Sequence, residues 1–105
     1  MIRRYTPDDL EGAVEVFRSA FAGEPWNEDW DKELASTRIM ELMSSQQSVG
    51  YVCDDGGIIR AVLCGRILTY LHGKEFMIDE FCVSPDMQHC GIGSGIHRQK
   101  DEELF

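Results

Sequence analysis

The feature that most constrains this chain is a glycine-rich turn near its C-terminal end, within Gln88–Gly95. Gly91, Gly93 and Gly95 stand at alternate positions, after an extended apolar segment and before a segment that begins like a helix. Glycines in such a turn expose successive backbone N–H groups, which lie at the positive end of the helix dipole. The pattern therefore predicts an anion site, and phosphate is the anion that such turns bind most often.

The length and the charge of the chain limit the kinds of protein it can be. Its 105 residues predict a single domain, 1–105, with a modest core. No apolar run approaches the ~20 residues that cross a bilayer, and no apolar segment follows the two N-terminal arginines. We therefore expect a cytoplasmic protein that has no membrane partner. The net charge of −9 disfavours nucleic acid as a partner and suits either a cationic ligand or simple solubility.

Four cysteines stand at positions 53, 64, 82 and 90, and no two of them form a C-x-x-C pair. Zinc sites and disulfide frameworks use tighter or paired spacings. In a cytoplasmic chain, buried free thiols are the ordinary alternative. The sequence therefore predicts no metal site.

The first half of the chain predicts a strand and two helices. Ile2–Tyr5 is a strand candidate, and Thr6 with Asp9 resembles a capping box at the start of a helix over about 7–22. Asn27 is the predicted cap of the second helix. The apolar face of that helix is formed by Ala35, Ile39, Leu42 and Met43.

The period then changes to the two-residue alternation of strands. The predicted strands are Val49–Cys53, Ile58–Leu71 and Glu75–Val83. The residues 54–57, Asp-Asp-Gly-Gly, are a strong hairpin signal, and Gly65 indicates a bend in the second of these strands. Helices followed by hairpin-linked strands indicate an α+β fold, in which helices pack on a mostly antiparallel sheet.

The glycine-rich turn and the residues before it resemble the GNAT superfamily of acetyl-CoA-dependent N-acetyltransferases. The matching residues are Ile78–Gln88, which include the Ser84–Asp86 turn, and His89–Ser94, which complete a Gln-x-x-Gly-x-Gly motif. The element order β-α-α-β-β-β-α matches as well. The resemblance implies the N-terminal half of a GNAT-like (acyl-CoA N-acyltransferase) domain, truncated after the turn and the first part of the following helix. The family's later strands, and its tyrosine that protonates the leaving thiolate, have no counterpart by position.

The resemblance also implies roles for particular residues. Acetyl-CoA would be the co-substrate, its pyrophosphate held by the amides of the turn and its pantetheine arm paired with the last predicted strand. The cofactor-binding residues implied in this way are Phe81, Cys82, Val83, Gln88, His89, Cys90, Gly91, Ile92, Gly93 and Ser94. By family position, Asp79 corresponds to the general base, and Glu80 is expected to hold a cationic acceptor. Adjacent strand residues face opposite sides unless a bulge intervenes, so the residue that faces the cleft stays open.

An acidic loop with two tryptophans is the candidate acceptor side. Trp26, Glu28 and Trp30 are its candidate substrate-binding residues, because indole faces and a carboxylate attract a cationic amine. The alternative is that the tryptophans hold the two helices together.

The sequence thus predicts acetyl transfer to a primary amine of a small cationic or peptide acceptor. The alternative is a catalytically impaired, truncated module that binds CoA or forms dimers. The last helix carries His97, Arg98 and Asp101 where family helices bury leucines, so we expect it to dock weakly or in an unusual way. An uncovered edge on the last strand recruits partners, which predicts a homodimer.

Overall fold

A computed structural model describes residues 1–105 as a four-stranded antiparallel sheet with helices on both faces. The strands are β1 (Ile2–Arg4), β2 (Ser48–Asp55), β3 (Ile58–Tyr70) and β4 (Gly73–Val83). The α-helices are α1 (Leu10–Ala22), α2 (Lys32–Leu42) and α3 (Ile92–Leu104), and short 3-10 turns occupy Pro7–Asp9 and Pro85–Met87. The strands pair in chain order, so β1 and β4 are the edges. The predicted α+β architecture is confirmed.

The start of α1 is fixed by polar contacts that the capping pattern predicted. The carboxylate of Asp9 accepts a hydrogen bond from the backbone N–H of Thr6 at 2.8 Å. It also accepts two from the Arg3 guanidinium, each at 2.8 Å, and it is only 7% exposed. Asp54 joins Arg3 from the end of β2 at 3.0 Å. These contacts tie β1, the start of α1 and the first hairpin together.

The start of α2 differs from the prediction that Asn27 caps it. The helix begins at Lys32, and the N-cap is Asp31, whose carboxylate accepts from the backbone N–H of Leu34 at 2.7 Å. Asn27 stands instead at a left-handed φ of 49° inside the preceding loop. That loop is held back on α1 by Trp30, whose ring packs edge-on against Phe17 at 4.8 Å, so the helix starts after the anchor.

Both faces of the sheet are buried, each by different helices. α1 and α2 cover the face that carries Val52, Val62, Cys64 and Cys82. α3 covers the opposite face, where Tyr51 and Leu63 are fully buried against Ile96. None of the helices is long and apolar enough to cross a membrane.

The hairpin of β3 and β4 contains an irregularity that positions the site. Cys64 pairs with Glu80, whereas the next residue, Gly65, pairs with Ile78, so Asp79 is an extra residue in β4. This is a β-bulge, which breaks the two-residue alternation. Gly65 makes room for it, because a Cβ there would lie 2.6 Å from the carbonyl oxygen of Met77 and would overlap the ring of Phe76. The predicted bend near Gly65 is confirmed, but the extra residue lies on the partner strand.

Candidate active site

The glycine turn presents six successive backbone N–H groups, those of His89 to Ser94, that donate to no other group of the protein. The first intrahelical bond at this end of α3 runs from the N–H of Gly95 to the carbonyl of Gly91 at 3.1 Å. His89 and Gly91 have left-handed φ values of 67° and 82°, which turn the amides of the loop toward one concave surface. Free amides at a helix N-terminus form an anion site.

A cavity of about 500 Å³ opens beside these amides. One wall is the end of β4 and another is the turn, and α1 with the following loop forms the third. The lining is mostly apolar and consists of Ala20, Phe21, Trp26, Phe81, Cys82, Val83, Met87, Gln88, His89, Gly91, Ile92, Gly93 and Ser94. All the predicted cofactor-binding residues except the exposed Cys90 therefore line one cavity.

Two contacts connect the turn to β4. The side-chain amide of Gln88 donates to the carbonyl oxygen of Val83 at 3.3 Å. The ring of Phe81 lies close to the backbone of Gly93, since a Cβ at position 93 would be 3.2 Å from its Cζ atom. A larger residue at 93 would push the turn away from the strand and change the width of the cavity.

The bulge brings the two strand acids to the same face of the sheet, the one covered by α1 and α2. Asp79 is bound at both carboxylate oxygens by Arg66 of β3, with Nε–Oδ2 and Nη2–Oδ1 distances of 2.9 and 3.0 Å. Glu80 contacts Arg38 of α2. Burial raises the pKa of the Cys64 thiol to about 12, and the negative charges of Glu80 and Asp79 act in the same direction. Both acids therefore lie near Cys64.

Glu80 is the less restrained of the two acids. Its side chain is 17% exposed, and its one ionic contact, to Nη2 of Arg38, is 3.5 Å long. Burial raises the pKa of Glu80 above its ordinary value, and the charge of Arg38 only partly opposes this effect. The charges of Glu28 and Asp79 act in the same direction as burial. A carboxylate of this kind is suited to accept a proton near neutral pH.

The three candidate residues of the acidic loop do not lie together at the cavity. Trp26 lines the cavity, with its ring 5.4 Å from that of Phe21. Trp30 does not line it. It packs on α1 and donates from Nε1 to the Glu28 carboxylate at 2.7 Å. Glu28 is close enough to Glu80 for its charge to act on that group.

Sequence reasoning did not find Arg38 and Arg66, which pair with the two acids. The sequence does contain a signal that places Arg66 near Asp79. The turn between Tyr70 and Gly73 sets the register of β3 and β4, and in that register residue 66 is opposite Met77, two residues before Asp79. No comparable signal exists for Arg38, since its position depends on how α2 packs on the sheet.

The cysteines and the other acids supply no metal site. All four thiols are free, and no three His, Cys, Asp or Glu side chains are grouped in a way that could hold a metal ion. Cys82 lines the cavity, but burial raises the pKa of its thiol far above the ordinary value, so it stays protonated.

The fold is that of the GNAT acetyltransferases. A GNAT family acetyltransferase from Staphylococcus aureus superposes with a TM-score of 0.77 at 10% identity, covering 97% of this chain and 75% of that one. One from Brucella melitensis in complex with acetyl-CoA has a TM-score of 0.70 at 18% identity, covering 99% and 67%. An aminoglycoside acetyltransferase from an uncultured soil metagenomic sample, in complex with sisomicin, has a TM-score of 0.69 at 18% identity, covering 97% and 67%. No protein-family model and no curated protein matches the chain.

Proposed function

We propose that this chain, which has the GNAT fold, is an acetyl-CoA-dependent N-acetyltransferase that acts on a primary amine of a small cationic or peptide acceptor. The observation that carries the proposal is the run of free amides from His89 to Ser94 at the mouth of a cavity bounded by an edge strand. The amides suit the pyrophosphate of acetyl-CoA. The outer main-chain edge of β4 at Phe81–Val83, where no further strand pairs and the Gln88 side chain is the contact to Val83, suits its pantetheine arm, which would pair with β4 like an added strand.

The proposed reaction is the attack of an amine on a thioester. The nitrogen lone pair forms a bond to the acetyl carbonyl carbon, the C–S bond breaks, and the CoA thiolate leaves with the electron pair. The nitrogen then releases a second proton, to that thiolate or to water, and the neutral amide results. An ammonium must first lose a proton to become a nucleophile. We assign that proton to the carboxylate of Glu80, directly or through one water, since the carboxylate of Asp79 is bound by Arg66 at both oxygens. This moves the role of general base to Glu80 from Asp79, to which the family position gives it.

Binding is tested with two glycine variants that each place a side chain at a positive φ. Gly91 and Gly73 both have positive φ, at 82° and 146°, and a Cβ at either meets nothing within 4 Å. By calorimetry with acetyl-CoA, Gly91→Val is expected to lose about tenfold or more in affinity, because it distorts the turn. Gly73→Val, at the distant hairpin tip, is the control and should bind as the parent does. Equal affinities in the two variants would remove the turn from the binding site.

Turnover is tested by thiol release with a panel of polyamines, aminoglycosides and peptide amines. Glu80→Gln is expected to lower kcat by about a hundredfold or more, the usual contribution of a general base. Glu75→Gln, earlier on the same strand, is the control. Loss of turnover in Asp79→Asn but not in Glu80→Gln would return the base to Asp79. Binding of acetyl-CoA with no acceptor turned over would favour the alternative function, a CoA-binding or dimeric interaction module.

We further propose a homodimer and a cytoplasmic location. β4 is an edge strand, and its part before the bulge carries Met77 and Ile78, which are 41% and 50% exposed. That part would pair with a second copy and leave Phe81–Val83 for the pantetheine arm. Sedimentation at micromolar concentration should give a dimer, and a monomer would refute this arrangement. Free, mostly buried cysteines suit a reducing compartment.

A further inference from the structure

Two arginines and two acids form one group of charged side chains next to the cavity, on the face covered by α1 and α2. Arg38 contacts Glu80 at 3.5 Å, and Arg66 contacts Asp79 at 2.9 Å. The two acids immediately precede Phe81, the first residue of β4 that lines the cavity. None of the four side chains lines the cavity itself, but the acids lie on β4 directly before its lining residues, where we expect an acceptor to approach the thioester.

The arginines of this group are more exposed than the acids. The side chains of Arg38 and Arg66 are 42% and 41% exposed, against 17% for Glu80 and 18% for Asp79. A ligand that enters from solvent meets positive charge first and negative charge below it. With Glu28 included, three carboxylates face two guanidinium groups, so this group is nearly balanced in charge despite the acidity of the whole chain.

The two arginines differ in which guanidinium N–H donors are left unpaired. Arg66 gives Nε and Nη2 to both oxygens of Asp79, and this bidentate pair holds it in place. Arg38 gives only Nη2, at 3.5 Å, and its Nε and Nη1 donate to no group of the protein. A planar guanidinium with two free donors matches a carboxylate or phosphate. Arg38 is thus the free anion-binding group, a few ångströms from the proposed base.

We infer that the acceptor is a small zwitterion of the amino-acid type, in which a carboxylate lies two or three bonds from the amine. The inference rests on the proposed function and narrows its acceptor to an amine whose charge is balanced by a carboxylate of the same molecule. The carboxylate would bind the free donors of Arg38, and this would direct the ammonium to Glu80. The short distance between Arg38 and Glu80 requires that the two charges of the ligand be close together. A polyamine would instead bring like charge against both arginines, which is unfavourable.

The experiment compares each of several α-amino acids with its own amide in the thiol-release assay. The parent protein should prefer the free acid by about tenfold or more in kcat/KM, the effect of one hydrogen-bonded ion pair. Arg38→Gln should reduce this acid-to-amide ratio to about 1, and Arg38→Lys should retain part of it. Arg98→Gln, an exposed arginine on α3, is the control and should keep the ratio of the parent.

Several results would overturn the inference. Preference for the amides, or for polyamines over all the amino acids, would refute it while acetyl transfer itself stood. An unchanged acid-to-amide ratio in Arg38→Gln would show that Arg38 only supports the fold. Failure of the parent protein to bind acetyl-CoA in calorimetry would refute the proposed function, and the inference with it. The assay and the calorimetry therefore distinguish the two failures.

Discussion

The two faces of the sheet are held by different forces. On the face of α1 and α2, eleven buried residues form one apolar cluster, with Phe17 and Ile39 fully enclosed. On the face of α3 the cluster has six buried residues, and Ile96 is the one that α3 supplies. Polar groups complete the second face. Glu103 accepts hydrogen bonds from Tyr51 at 2.8 Å and from Gln99 at 2.9 Å, and it pairs with Arg4 at 3.2 Å.

The comparison shows how the two halves of the candidate site are supported. The acceptor end depends on the strongly packed face, since Arg38 comes from α2 and Glu80 from the sheet below it. The anion-binding amides belong to the start of α3 and the turn before it, and α3 docks by the buried Ile96, the partly buried Ile92 and Leu104, and a polar network. The sequence led us to expect weak or unusual docking of this helix, and the contacts of Glu103 are the unusual part.

The largest expected effect separates the two faces by truncating one core residue on each. Phe17→Ala and Ile96→Ala should lower the free energy of unfolding by about 4 and about 3 kcal/mol, because both side chains are buried and leave cavities. Only Ile96→Ala is expected to weaken acetyl-CoA binding as well, since it loosens the helix that carries the amides. Thermal unfolding checks the loss of stability. Titration calorimetry with acetyl-CoA, at a temperature below the unfolding midpoint of each variant, checks the loss of affinity. Equal losses of affinity would mean that the faces are not independent.

A smaller effect is expected from the polar anchor of α3. Tyr51→Phe removes the hydroxyl that donates to Glu103 and keeps the buried ring. The cost should be about 1 kcal/mol of unfolding free energy, the usual net value of one hydrogen bond. Tyr70→Phe, whose ring is 63% exposed at the hairpin tip, is the matched control. If the two variants unfold at the same denaturant concentration, the network around Glu103 does not stabilise α3.

The smallest effect is a difference in titration between two glutamates on opposite faces. Burial raises the pKa of Glu80, whereas hydrogen bonds from Gln99 and then Tyr51 lower the pKa of Glu103. Carboxyl carbon NMR should therefore give a midpoint above the ordinary glutamate value for Glu80 and below it for Glu103. The stabilisation that Glu103 provides is full above its ordinary pKa and is lost as the pH falls through its lowered pKa. Catalysis by Glu80 should rise as the pH rises through its raised pKa. Midpoints in the reverse order would contradict the assigned environments.

Local signals predicted most of the fold. The capping pair Thr6 and Asp9, the Asp54–Gly57 hairpin and the glycine turn each act within a few residues, so the sequence alone reveals them. The wrong cap at Asn27 has a tertiary cause, because Trp30 packs on α1 and delays the helix until Asp31. The chemistry was less visible. The sequence indicated both strand acids, but the arginines opposite them come from other elements, and their pairing depends on packing.

The bulge in β4 affects how a site of this kind can change in evolution. From Ala61 to Tyr70, β3 has ten residues, and its partner span from Gly73 to Val83 has eleven. In a regular strand, two side chains on one face are separated by a whole intervening residue, or about 7 Å. The extra residue places two carboxylates on one face at consecutive positions. Loss of the codon for Asp79 would leave a regular ladder and a single acid, with every other residue in its present partnership. A heritable loss of three bases would thus remove one charge from this site and leave the rest of the ladder paired as it is.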